Sequence, residues 1–345
     1  MANTLEDTKI RLATPDDADN IIEFLREHWI IRNHVFTRRR DLFDNCHLIE
    51  GRLTYLLAEG VETKKLYGIL GYSFSNHNFD NPDISAVIFQ TLKTSNPSLG
   101  IDMIQKLQEL TNSRSLFCPG IIKKTKGIYD FLGYETGMLR HYYKLGKTDD
   151  FKIAHIESLP QKVQYPDVAY SIKRLETYDQ VLDAFDFERF TEVMPYRDAW
   201  SVKQRYFDNI GYDYEVYGIF SDAGCEALFV GREIPCNGTA MFKVVDYLGE
   251  DEALAHAGAA LDELLAARGW EYMDFYEHGI DDEYMEAAGF VQRVKKDVNI
   301  VPNYFEPYEL SNVDIYYYTT WPGKYHIYRS DSGQDRPNFI EEIEE

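Results

Sequence analysis

The sequence predicts an α+β protein built of two units in tandem, each a mixed, mostly antiparallel sheet flanked by helices. Three observations predict it. The chain has 345 residues, more than a single hydrophobic core usually spans, so two domains are the default. The same succession of strand and helix patterns runs along it twice. Between the two runs, from about residue 146 to 167, the chain turns polar and carries Pro160 and Pro166. The division is therefore 1–148 for the first unit, 149–167 for a linker, 168–330 for the second unit and 331–345 for a polar, acidic tail.

In the first unit, "KIRLATPDDADNIIEFLREHW" opens as a strand through Ile10 and Leu12 and continues as a helix. Thr14 reads as its N-cap, Pro15 takes the first helical position, and acids fill the first turn. Ile21, Ile22, Leu25 and Trp29 recur at helical spacing. "LTYLLAEG" and "KLYGILGYSFS" are two strands joined by a polar turn. "ISAVIFQTLK" is a third, rich in β-branched and aromatic residues. "TSNPSLGIDMIQKLQEL" follows as a capped amphipathic helix and "SRSLFCPGI" as a short strand. "TKGIYDFLGYE" is a short helix ended by Gly133, and "GMLRHYYKLG" closes the unit as a strand.

The second unit repeats this order. "YSIKRLETYDQVLDAFDF" is strand then helix, and "YEVYGIFSD", "CEALFVGREI" and "TAMFKVVDYLG" are strands. "EDEALAHAGAALDELLAARG" is one helix, "WEYMDFYEHG" a strand and "DDEYMEAAGF" a short helix. "VNIVPNYFEPYEL" and "VDIYYYTT" finish the unit. The repeat is far longer than that of a solenoid, so it is a duplication of domains.

Composition narrows the function. The net charge of −22 argues against non-specific nucleic-acid binding, which needs a Lys/Arg-rich face, and equally against anionic membranes. An anionic ligand would have to be held by local devices, such as backbone N–H groups or a few placed cations. Cys46, Cys118, Cys225 and Cys236 show no CxxC pairing and no histidine at zinc-ligand spacing, so reduced thiols and no metal are expected. No apolar signal core or membrane-length run stands in the sequence. A soluble cytoplasmic protein is expected, and a homo-oligomer is compatible with it.

The order strand, helix, three strands, helix, strand, helix, strand resembles the acyl-CoA N-acyltransferase fold of the GNAT superfamily. Two places carry the match. Ser95, Asn96, Pro97, Ser98, Leu99 and Gly100 stand where the family has Gln/Arg-x-x-Gly/Ala-x-Gly/Ala. Gly100 fits, while Ser95 and Ser98 depart from the pattern. In "GIYDFLGY", Tyr129 lies four residues before Gly133, as in the family's tyrosine-before-"GF" helix. "HWIIRNHVFTRRRDLF", "FKVVDYLG", "YMDFYEHG" and "VPNYFEPYELSNVDI" extend the resemblance over nearly the whole chain. They are similar to two-domain sugar N-acyltransferases of surface-polysaccharide and dideoxy-aminosugar pathways, such as the anthrose and acylated aminofucose routes. That resemblance implies acyl transfer from a CoA thioester to the amine of a dTDP- or UDP-linked amino sugar.

The residues can be assigned on that basis. A helix N-terminus offers free N–H groups and partial positive charge to a pyrophosphate. Ser95, Asn96, Ser98, Leu99, Gly100 and Ile101 would form that cradle, Ser98 and Gly100 being small enough for close approach. The same residues also read as a plain Ser98-capped amphipathic helix. Lys123 and Lys124, with Lys126, would reach the adenosine phosphate, or form a solvated turn. The cationic cluster Arg38, Arg39 and Arg40 reads as a phosphate site or as a loop balancing neighbouring acids.

For the chemistry, the resemblance implies that the strand over residues 84–91 offers backbone N–H groups to the thioester carbonyl. It gives Tyr129 the role of protonating the leaving thiolate; a packed tyrosine is the alternative. Asp83 and Ser85 alternate onto one face of the strand and, with His34, are candidates for the base or for orienting the amine. Each has a structural alternative, and water can carry the proton instead. The second unit has Glu250, Asp251 and Glu252 at the equivalent helix start, and Met285 four residues before Gly289. Those acids would repel a pyrophosphate, so the second unit is expected to have lost CoA binding and to support the acceptor pocket or the assembly. "VPNYFEPYE" suits stacking on a nucleotide or plugging the interface. A different amine acceptor, such as a polyamine or peptide amine, and a non-catalytic two-domain scaffold remain the competing readings.

Overall fold

The computed structural model describes residues 6–29, 34–333 and 335. In the first half, β1 (Thr8–Leu12) leads to α1 (Ala18–His28), α2 (Arg40–His47) and the two-residue pair β2 (Leu48–Ile49) and β3 (Arg52–Leu53). Then come β4 (Tyr55–Gly60), β5 (Leu66–Phe74), β6 (Asp83–Thr91), α3 (Leu99–Thr111), β7 (Ser115–Ile121), α4 (Lys126–Phe131), β8 (Glu135–Met138) and β9 (Arg140–Leu145). Helix α1 is preceded by a 3-10 turn over Pro15–Asp17, and the Thr14 N–H donates to Asp17 Oδ2 at 2.8 Å.

The second half has β10 (Ser171–Leu175), α5 (Tyr178–Ala184), α6 (Ala199–Val202), a π-helical turn (Lys203–Phe207), β11 (Glu215–Ser221), β12 (Gly224–Cys236) and β13 (Thr239–Gly249). It continues with α7 (Ala253–His256), α8 (Gly258–Arg268), β14 (Tyr272–His278), α9 (Asp282–Ala287), β15 (Val291–Gln292), β16 (Tyr316–Thr319) and β17 (Ile327–Tyr328), and a 3-10 turn over Arg329–Ser332. The single helix expected from "EDEALAHAGAALDELLAARG" is two, divided at Ala257. Gly258 packs so tightly that a Cβ there would lie 2.5 Å from the Tyr165 ring.

Both faces of the first sheet are covered, so β4 is buried on both sides of its alternation. Leu57 and Ile69 pack with Ile21, Leu25, Phe36 and Phe43 of the α1–α2 side. Leu56, Leu70 and Ile84 pack with Met103, Ile104 and Leu107 of α3. Burying these side chains, at roughly 1.5–3 kcal/mol each, holds the helices to the sheet.

The strand order is β1-β4-β5-β6-β7-β16-β8 in the first sheet and β10-β11-β12-β13-β14-β9-β15 in the second. Two strands therefore sit in the other unit's sheet. The run "GMLRHYYKLG", expected to close the first unit as one strand, breaks at the buried Leu139, whose N–H bonds the carbonyl of Ile315 at 2.8 Å. Its second part, β9, pairs antiparallel with β14 from Tyr272↔Leu145 to Glu277↔Arg140. In return β16, expected within the second unit, lies between β7 and β8. Local alternation marks a segment as a strand but does not name its partner, which long-range packing decides.

Candidate active site

The first sheet opens at one place. β6 and β7 run parallel and pair only at Asp83↔Ser115, Ile84↔Leu116 and Ser85↔Phe117. Beyond Ser85, β6 runs on to Thr91 while β7 turns its other edge to β16. The two strands thus form a V with its vertex at Ser85 and Phe117. Just past the vertex β6 carries a bulge. Tyr72 pairs with Ala86 and Leu70 with Phe89, so Val87 and Ile88 stand opposite Gly71 alone. A bulge takes backbone groups out of the ladder, here beside the opening.

The loop after β6 brings Ser95, Asn96, Ser98, Leu99, Gly100 and Ile101 to the start of α3, at the open end of the V. Much of it is closed by its own hydrogen bonds. Asn96 Oδ1 accepts from the Ser98 N–H at 2.9 Å and the Ser98 hydroxyl at 2.8 Å. Asn96 Nδ2 donates to Asp102 at 2.5 Å, and the Ser95 hydroxyl donates to Asp7 at 2.6 Å. The Ile101 N–H bonds Ser98 O at 2.8 Å, and the Leu99 N–H reaches Asn96 O at only 3.4 Å. The Gly100 N–H has no hydrogen-bond partner among the described residues. A Cβ on Gly100 would meet only Phe89, at 3.5 Å, so protein packing does not require glycine there.

Tyr129 of α4 lies on the α3 side of the sheet. Its ring is buried, stacked 4.2 Å from Tyr318 of β16 and 6.4 Å from Tyr134. Burial pushes its hydroxyl well above the usual tyrosine range, so it is a protonated phenol at neutral pH. Cys118 of β7 shares this environment; burial pushes its thiol up to about 12, which leaves it a poor nucleophile.

Ser85, Asp83 and His34 lie on the opposite, α1–α2 side or at its edge, and have different surroundings. The Ser85 hydroxyl is buried and 2.8 Å from that of Ser73. Asp83 is fully buried and fully used. Arg114 pairs with it through Nε at 3.0 Å and through Nη2. It also accepts from Ser115 Oγ at 2.7 Å, the Tyr196 N–H at 3.2 Å and Asn76 Nδ2 at 3.3 Å. A carboxylate held by an arginine and three further donors clamps the vertex. His34 stands outside any α-helix. It caps the 3-10 turn Val35–Thr37, its Nδ1 accepting from the Phe36 N–H at 3.3 Å, with its ring against Trp29 and Phe36.

Lys123 and Lys124 are exposed ahead of α4 and form no ion pair with a described acid, whereas Lys126 pairs with Asp130 at 3.0 Å; Lys123 Nζ lies 5.7 Å from the Tyr316 ring. Arg39 pairs with Asp41 at 2.6 Å, and Arg40 with Asp44 at 2.8 Å and with Asp19. These two arginines balance neighbouring acids.

The second sheet repeats the opening in a filled form. β13 and β14 pair in parallel at Phe242, Lys243 and Val244, and β13 bulges at Val245. β9 already occupies one edge of β14, so β17, paired with Glu277 and His278, lies on the edge facing β13. Arg197 then bridges Asp246 of β13 at 3.3 Å and Asp331 at 2.7 Å. At the helix start Asp251 is held by Lys324 at 2.7 Å and His326 at 3.1 Å. Of the aromatic "VPNYFEPYE" run, Phe305 covers Lys243 at 5.2 Å and the Tyr308 hydroxyl bonds Ile153 O at 2.6 Å.

Three contributors were missed in the sequence: Ser73, Tyr318 and Arg114. Ser73 stands in an otherwise apolar strand, a polar residue in "GYSF" that was a usable signal. Tyr318 and Arg114 had none, because their partners are set by the strand exchange and the vertex. Among the described residues no group of His, Cys, Asp and Glu is placed to hold a metal ion, and no helix is long and apolar enough to cross a membrane.

No family model matches the sequence, and none of the curated proteins matches it. Solved structures do. A GCN5-related N-acetyltransferase from Anabaena variabilis superposes with a TM-score of 0.54 at 9% identity, over 90% of this chain and 72% of that one. A conserved protein of unknown function from Enterococcus faecalis, described as a probable N-acyltransferase, gives 0.51 at 12% identity, over 90% and 72%. The N-myristoyltransferase of Saccharomyces cerevisiae with bound myristoyl-CoA gives 0.46 at 10% identity, over 92% and 78%. The fold is that of two tandem GNAT-like domains, with mixed sheets flanked by helices.

Proposed function

We propose that the chain is an N-acyltransferase that moves an acyl group from acyl-CoA to the amine of a dTDP- or UDP-linked amino sugar. The observation that carries the reading is the V between β6 and β7, with a bulge at its throat, the unpartnered Gly100 N–H at its mouth and Tyr129 on one side. An acyl-CoA would lie along β6, its phosphates toward Gly100 and the exposed Lys123 and Lys124. Backbone N–H groups released by the bulge would polarise the thioester carbonyl. The neutral amine forms the C–N bond, the C–S bond breaks, and the thiolate takes the Tyr129 proton. The amine gives up its own proton to water, and the phenol is then reprotonated from solvent. The second V, filled by Arg197, Asp331 and β17, supports a structural role for the second unit. The sugar acceptor rests on the sequence resemblance.

One observation favours a second reading, a non-catalytic scaffold. The loop is largely closed on itself, and the Asp102 carboxylate already occupies the first turn of α3, where it competes with a phosphate for the helix N-terminus. Titration calorimetry with CoA and acetyl-CoA separates the two. Binding in the micromolar range, followed by thiol release on adding a dTDP- or UDP-linked amino sugar, supports the enzyme. No heat at millimolar CoA supports the scaffold.

A further inference from the structure

The α1–α2 side of the first sheet holds a cleft where the two units meet, and nothing described so far occupies it. Asn45 of α2 and Ser73 of β5 form the first unit's wall. Gln204, Asn209, Tyr214 and Ser330 form the wall from the second. Hydrogen bonds across its rim tie the units together: Asn45 Nδ2 donates to Asp208 O at 2.9 Å and Gln204 Nε2 to Asn45 O at 3.3 Å.

We propose that this cleft is the acceptor pocket, and that it is built for an uncharged, hydroxyl-bearing body, the sugar ring, and against a polycation. The proposal rests on the N-acyltransferase reading and adds to it the site and class of the acceptor. Its first support is position. Ser73 lines the cleft and its hydroxyl lies 2.8 Å from Ser85 at the vertex of the V. The cleft therefore leads to the throat on the face opposite Tyr129. Acceptor amine and leaving thiolate would approach from two sides of one strand.

The second support is hydrogen-bonding capacity. The Ser73–Ser85 contact uses one hydroxyl proton of the two, leaving one to donate. The Tyr206 hydroxyl spends its one proton on Asp246, so Ser330 Oγ, 3.0 Å away, donates to it and keeps its lone pairs free to accept. Amides and hydroxyls that both donate and accept match sugar hydroxyls.

The third support is charge. Asp335 is the one carboxylate among the described lining residues, and it is closed by Arg232 Nε at 3.0 Å and the Tyr214 hydroxyl at 2.8 Å. Arg205, the one lining arginine, is closed by Asp331 at 3.1 Å. The acidic surface would attract a polyamine, but among the described lining residues no carboxylate is left open to hold one. The corresponding row of the second sheet shows that the fold does not impose serines. Where Ser73 faces Ser85 in the first unit, Arg232 faces Lys243 in the second, each pair placed just before its bulge.

The test uses Ser330→Leu, which fills the cleft, and Ser73→Ala, which removes a hydroxyl at little steric cost. Acceptors are dTDP- and UDP-linked sugars with the amine at C3 or C4, and spermidine. CoA affinity is measured in parallel by calorimetry. The expected result is acetylation of an amino sugar and not of spermidine. Its KM should rise tenfold or more in Ser330→Leu and several-fold in Ser73→Ala, with CoA affinity within twofold of wild type. An unchanged KM in both variants, or turnover of spermidine alone, overturns the pocket. If wild type binds no CoA, the enzyme reading fails, and saturation-transfer NMR with the same sugars still decides the cleft. Sugar binding lost in Ser330→Leu supports it. Binding unaffected by the variant, or no sugar binding to wild type, overturns it.

Discussion

The ring of Tyr129 lies 4.2 Å from that of Tyr318, tilted by only 20°. Tyr129 belongs to α4 of the first unit. Tyr318 arrives on β16, after the whole second unit has been traversed, and enters the first sheet beside β7. The exchanged strand therefore builds one wall of the candidate site.

Tyr129→Phe keeps this stack and removes only the hydroxyl. If the phenol protonates the leaving thiolate, kcat falls by a factor of about 10² or more, typical for a lost general acid, while KM for acyl-CoA stays within about twofold. Tyr318→Ala instead opens the core and should cost about 3–5 kcal/mol, the usual range for large aromatic truncations. Steady-state kinetics and denaturant unfolding check the pair. A Tyr129→Phe variant with wild-type kcat removes the phenol from the mechanism.

Gly100 separates a ligand requirement from a packing requirement. Because a Cβ would meet only Phe89 at 3.5 Å, Gly100→Ala should fold with unchanged or slightly higher stability, by up to about 1 kcal/mol. Gly100→Glu should fold as well, yet lose CoA affinity by a factor of about 100 or more, because it sets a carboxylate against the phosphates. Calorimetry with CoA and a thermal melt of each variant read this out. Wild-type affinity in Gly100→Glu refutes the loop assignment.

Asp83 was a candidate base, but its bonds to Arg114, Ser115, Asn76 and Tyr196 make it a clamp. Asp83→Ala should therefore lower stability by about 3–5 kcal/mol, as breaking a buried pair does. A base would behave otherwise: Asp83→Asn would leave the melt unchanged and remove an acid limb from the pH–rate profile. Thermal unfolding of both variants and a pH profile of kcat distinguish the roles.

Glu277 of β14 supplies a pH signature. Burial raises its carboxyl to about 7 from an ordinary 4.5, despite Arg140 nearby. The folded state thus holds a proton that the unfolded state has already lost between pH 4.5 and 7. The stability this contributes is fully present below pH 4.5 and is lost as pH rises through 7, amounting to roughly 3 kcal/mol. Glu277→Gln should lack that loss. Unfolding free energies of both proteins at pH 5 and pH 8 test it, and equal pH dependence in the two excludes Glu277 as the cause.

Much of the molecule was legible residue by residue. Ile21, Ile22 and Leu25 announced a helix, and "ISAVIFQTLK" a buried strand, because burial leaves a period in the sequence. The Gly100 loop was placed at a helix start on the same grounds. His34 and Asp83 illustrate the limit. Their residue types suit catalysis, but the local turn makes His34 a cap for the Phe36 N–H, and neighbours distant in sequence make Asp83 a clamp.

The sequence by itself determined the element types, the doubling of the unit and the position of a small-residue loop ahead of a long helix, since these depend on local periodicity and backbone preference. Only the tertiary structure decided that β9 and β16 change sheets, that Ser73 meets Ser85 at the vertex, and that Arg197 and Asp331 fill the second opening. The strand exchanges and the Arg197–Asp331 pair join segments far apart in the chain, and the Ser73–Ser85 pairing depends on the register that the β6 bulge sets. Periodicity records whether a side chain is buried and carries no term for what it is buried against.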